Sequence, residues 1–173
     1  MKTLIIHPKD ATTDMLCRIY KDTDWTIINY NPSTSHLKKE IASHDRIIML
    51  GHGTPQGLIG ERRLVVNSDL IYLLRDKELT AVWCNADQFF KKYDLKGFYT
   101  GMIISEYEEA LAYCISNFNY QHVHESNELF SDLMKEIINL NYPEMVKTMN
   151  EKYISDNNPI IQFNTQNIYC NLK

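Results

Sequence analysis

Residues 45–53, DRIIMLGHG, and residues 79–84, LTAVWC, decide the fold. Each is a short, nearly unbroken apolar run that stops at turn-forming or polar residues, the composition of a strand buried on both faces. Upstream, residues 2–7 (KTLIIH), closed by Pro8, read as a first strand. Residues 25–30 (WTIINY) read as a second, rich in β-branched and aromatic side chains. Downstream, residues 97–105 (GFYTGMIIS) supply a fifth.

Helical patterns lie between the strands. Residues 10–22 put Met15, Leu16, Ile19 and Tyr20 on one face, with Asp10 or Thr12 as the cap. Ser33 or Ser35 caps a helix running through residue 43, with Leu37 and Ile41 four apart. A small hairpin is expected over residues 58–67, a helix near 69–77, and a short helix over 86–93 after Asn85. This alternation predicts an α/β three-layer sandwich with a mostly parallel central sheet and right-handed crossovers. Residues 107–116 and 126–140 are expected to be helical, as is a stretch from Pro143 to about residue 155. IIQF and NIYC, within residues 159–172, read as strand pieces. The expectation is one domain over residues 1–173: a core to about 116, a helical C-terminal segment over 117–158, and an edge strand within 159–172.

The bulk properties narrow the function. A chain of 173 residues suits one domain, and 44% hydrophobic with 23% charged residues is ordinary globular composition. The net charge of −4 argues against the basic excess of a nucleic-acid binder. No run reaches the roughly 20 apolar residues of a membrane helix. The apolar stretch at the N-terminus is too short for a secretion signal. A cytoplasmic protein without a membrane partner is expected. Cys17, Cys84, Cys114 and Cys170 show no CxxC spacing and are expected as free thiols. His36, His44, His122 and His124 match no zinc-ligand spacing, so no metal is expected. No sequence feature fixes an oligomeric state.

Ligands of wound parallel sheets bind beyond the carboxyl ends of the strands, which here carry His7, Gly51-His52-Gly53, Cys84-Asn85 and Ser105-Glu106. If the third and fourth strands are neighbours, His52 and Cys84 emerge side by side. The flanking glycines let a substrate approach the chain closely, and the Gly53 amide is suited to a developing oxyanion. Cys84 precedes a helix start, where unpaired amides favour a thiolate. The plainer readings are a glycine-rich turn and a small buried hydrophobe.

The stretch from Asp45 to Asp87 resembles the core of the caspase-like cysteine peptidases, the clan that holds caspases, gingipains and clostripain. There, a hydrophobic strand ends in His-Gly, a glycine-containing hairpin and a helix follow, and a second hydrophobic strand ends in the nucleophilic cysteine. The resemblance implies a catalytic dyad of His52 and Cys84, with Gly53 and Cys84 backbone amides as the oxyanion hole. It implies a peptide or protein substrate and no cofactor. Trp83 stands where the family usually has a small residue, and strand alternation sends its ring toward the core. Asp69, Asp87 and Glu106 are candidate carboxylates of a substrate pocket, which would pair with Lys or Arg. The alternative is a catalytically degenerate binding or regulatory domain on the same scaffold.

Overall fold

Alternate residues of the central strands go to opposite faces of one sheet, and two separate hydrophobic layers result. Leu4 and Ile6, Ile47 and Met49, and Leu79 and Ala81 face one layer, while Ile5, Ile48, Leu50 and Val82 face the other. The computed structural model describes residues 1–172. Its six-stranded sheet uses β1 (Thr3–Ile6), β2 (Thr26–Ile28), β3 (Arg46–Leu50), β7 (Glu78–Val82), β8 (Gly97–Thr100) and β9 (Ile168–Asn171). The order is β2-β1-β3-β7-β8-β9, parallel except for β9, which runs antiparallel to β8. A second, small sheet of β4 (Gly53–Thr54), β5 (Gly57–Ile59) and β6 (Leu64–Val66) fills the crossover from β3 to β7.

One face is covered by α1 (Thr34–Ser43), α2 (Ile71–Leu74), α3 (Ala86–Tyr93) and the small sheet. The other is covered by a 3-10 helix at Ala11–Ile19 with α5 (Tyr120–Ile137), α6 (Tyr142–Lys152) and α7 (Pro159–Thr165). This is the α/β three-layer sandwich expected from the sequence. Among the described residues no helix is long and apolar enough to cross a membrane.

Several boundaries differ from expectation, each for a local reason. The segment after Asp10 is a 3-10 helix rather than an α-helix. Its buried residues Thr13, Leu16 and Ile19 recur every third position, the 3-10 repeat. IIQF is not a strand: Asn158 accepts the Ile160 and Ile161 amides, Pro159 opens the first turn, and α7 follows. Only Ile168–Asn171 joins the sheet as its edge. The strand from Gly97 stops at Thr100: the Gly101 amide makes one last bond, to the Asn167 carbonyl, and the Gly101 carbonyl accepts the Asn85 amide at the start of the turn into α3. α4 (Tyr107–Ala112) ends early, with Cys114 and Asn117 both at positive φ.

The C-terminal segment is part of the core. Phe130, Met134, Met145, Met149, Tyr153 and Ile161 bury themselves against the sheet. Arg46, buried at the start of β3, donates to the Ile138 carbonyl and to Asn139, so its cation meets the negative end of α5. Its guanidinium also lies over the Trp25 ring.

Candidate functional site

β3 and β7 are adjacent and in register, with Leu50 opposite Val82. His52 and Cys84 each lie two residues beyond that last pair. Gly51 continues the ladder by donating to the Val82 carbonyl, and it takes a φ of +133°, a conformation that suits only glycine. Asn85, left-handed at φ 67°, turns the chain into α3. Asn tolerates that conformation better than most residues.

His52 and Cys84 line one cavity of about 30 Å³ with Thr13, Leu16, Trp83 and Ile103. That is room for one or two waters. The two side chains have other partners in this state. Cys84 Sγ donates to the Ile103 carbonyl at 3.3 Å and lies 3.9 Å from Glu109 Oε1. Burial, and then the Glu109 carboxylate, pushes its thiol up to about 12. His52 Nε2 is 2.6 Å from Thr12 Oγ1, 3.5 Å from Glu106 Oε1 and 3.9 Å from Asp10 Oδ1.

Glu109 is held by its own helix start. Oε2 accepts the Ser105 and Glu106 amides at 2.8 and 3.1 Å, which leaves Oε1 toward Cys84. His52, Glu106 and Glu109 each place one ligand-type atom within 4.8 Å of the other two. Among the described residues they are a group whose ligand-type atoms lie close enough together for a divalent cation, a grouping that the linear spacing of the histidines did not reveal.

Of the three carboxylates expected to form a substrate pocket, the fold brings only Glu106 to His52. Asp69 is exposed in the 3-10 turn Ser68–Leu70. Asp87 pairs with Lys91 at 2.8 Å along α3. Asp10, Thr12 and Glu109 complete the surroundings of the site in their place. β1 lies beside β3, so the loop after β1 reaches the loop after β3, a proximity visible only once the strand order is known.

Gly53 opens the small sheet opposite Leu58, and the His52 carbonyl accepts the Ile59 amide. That pattern makes Gly53 and Leu58 a non-hydrogen-bonded pair, so the Gly53 N–H points away from β5. The Gly51–Gly57 stretch is thus the first turn of this small sheet. On its other side Gly53 touches the indole of Trp83, and a Cβ there would sit 2.0 Å from Trp83 Cδ1. The indole is buried and donates to the Thr54 carbonyl at 3.2 Å. It is a core residue that fixes the hairpin over the end of β7. Gly53→Ala is expected to lower stability by about 1–3 kcal/mol, because a rigid ring must move. A urea titration with an unchanged midpoint would show that the ring yields freely.

The chain matches no family model, and no curated protein matches it.

Proposed function

We propose that this protein is a cysteine hydrolase of the caspase-like kind, acting on peptide bonds through Cys84 and His52. The observation that carries the reading is the equal offset of the two side chains beyond adjacent, in-register strand ends, which brings both to one cavity. A Gly53 amide unused by the hairpin supports it. In the reaction, the Cys84 thiol gives its proton to His52 and the sulfur bonds to the carbonyl carbon. The Gly53 and Cys84 amides hold the oxyanion. His52 then protonates the leaving amine as the C–N bond breaks, leaving a thioester on Cys84. It next takes a proton from water, and the hydroxide displaces the sulfur to release the acid. Asp10, Glu106 and Glu109 make the rim acidic, which favours a substrate with Lys or Arg near the scissile bond.

The resting state is not poised for attack. A thiol held up to about 12 stays protonated at neutral pH, and the cavity beside it has room for only one or two waters. A substrate must open the cavity and bring the imidazole to the sulfur. The same two facts favour a second reading, a binding domain on this scaffold that performs no chemistry.

Peptides ending in an acyloxymethyl ketone separate the two. The hydrolase reading expects a Lys or Arg probe to alkylate Cys84 and His52→Ala to slow this about a hundredfold or more. Iodoacetamide, which brings no peptide contacts, should label Cys84 slowly below pH 9. Saturable peptide binding with Cys84 left unmodified by every probe would overturn the hydrolase reading and establish the binding domain.

A further inference from the structure

We infer that Asp10 and Thr12 are the positioning residues of His52, holding a hydrogen on Nε2 so that Nδ1 is the nitrogen that takes and returns the proton. The argument starts at Thr12. Its hydroxyl has one proton, and it donates that proton to Asp10 Oδ1 at 2.8 Å. Asp10 Oδ1 also accepts the Thr12 amide at 2.9 Å. These two bonds hold the Asp10 carboxyl below its ordinary range, so it is an acceptor at neutral pH.

With its proton committed, Thr12 Oγ1 offers only lone pairs to the His52 Nε2 that lies 2.6 Å away. The nitrogen must donate. The other two oxygens near Nε2, Glu106 Oε1 at 3.5 Å and Asp10 Oδ1 at 3.9 Å, are carboxylate acceptors as well. A neutral imidazole has one donor nitrogen and one acceptor, so the lone pair is on Nδ1.

The pair is itself fixed in place. Asp10 caps the 3-10 helix, and Thr13 Oγ1 donates back to the Asp10 carbonyl. Thr13 Oγ1 also bonds His7 Nε2 at 3.2 Å, while His7 Nδ1 bonds the Tyr20 hydroxyl at 2.9 Å. A buried histidine at the end of β1 thus clamps the turn that orients the histidine at the end of β3. Such rigid support is what a proton-transfer group needs, since misplacement by about 1 Å can cost a hundredfold in rate.

The catalytic consequence rests on the hydrolase reading, whereas the tautomer does not, and one experiment separates them. Ring-nitrogen NMR of ¹⁵N-histidine-labelled protein is recorded for the wild type, Thr12→Val, Thr12→Ser and Asp10→Asn, with probe labelling of Cys84 measured in parallel. The expected result is an Nε2–H ring for His52 in the wild type and in Thr12→Ser. Thr12→Val and Asp10→Asn should give a mixture of tautomers and slow the labelling roughly tenfold to a hundredfold. An Nδ1–H ring in the wild type would overturn the inference, as would a Thr12→Val protein with unchanged tautomer and unchanged labelling. A tautomer that shifts in Thr12→Val while Cys84 never labels would reject the hydrolase and keep the positioning role.

Discussion

Replacing Trp83 by alanine is expected to remove about 3–5 kcal/mol of folding stability, the range for emptying a large aromatic site in a core. The ring is fully enclosed, edge-on to Phe89 at 5.7 Å between centroids and 6.4 Å from Phe90. It also lies flush against the Gly53 backbone. Neither surface can close the gap, because Gly53 belongs to the hairpin and the phenylalanines to α3. Removing the indole also leaves the Thr54 carbonyl without the Nε1 donor. Trp83→Phe, which keeps the bulk and loses the N–H, should cost less, with the lost hydrogen bond contributing about 1 kcal/mol. Urea unfolding of both variants checks the pair. A loss below about 1 kcal/mol in Trp83→Ala would mean that the core refills the site.

The second large effect is acid destabilisation through His7. Burial holds its imidazole down at about 4, against an ordinary value of 6.5. Between those values the unfolded chain binds a proton that the folded chain refuses, so stability rises with pH across that window. The contribution is fully present above pH 6.5 and is lost as the pH falls through 4. The span of about 2.5 pH units corresponds to about 3 kcal/mol. Unfolding free energies from urea titrations at pH 7.5 and pH 4.5 should differ by about 2–3 kcal/mol more in the wild type than in His7→Asn, which has no imidazole to charge. Equal pH sensitivity of the two proteins would show that His7 takes up its proton without unfolding.

The parts of this fold set by short-range pattern were legible in the sequence. The runs at Ile47–Leu50 and Leu79–Val82 are apolar at every second position on both faces except Thr80, and they became the two central strands. The apolar Trp83 that ends the LTAVWC run is a core residue, as alternation required. What was not legible depended on contacts distant in sequence. Thr12 and His52 are 40 residues apart, and only the pairing of β1 with β3 brings them together. The capping signal at Asn158-Pro159 was readable, but the apolar IIQF that follows it suits a strand equally by composition, and helical spacing of Ile160, Ile161 and Asn164 decided the outcome. Glu109 was not legible for the same reason: it stands 25 residues from Cys84 in sequence, yet its Oε1 lies 3.9 Å from the sulfur.

One buried network ties the site to the order in which the chain is made. Asn164 accepts the Ile104 amide at 2.8 Å and returns a bond to the Ile104 carbonyl, next to the backbone that holds Cys84. Its Nδ2 also reaches the Tyr153 hydroxyl, which bonds Ser126 at 2.6 Å. On the ribosome, His52 and Cys84 emerge long before these partners do. Asn127 and Phe130 follow, and Tyr153 and Asn164, the pocket-lining residues nearest the C-terminus, leave the exit tunnel last. Vectorial synthesis thus delivers the Ile104 backbone well before the side chain that satisfies it.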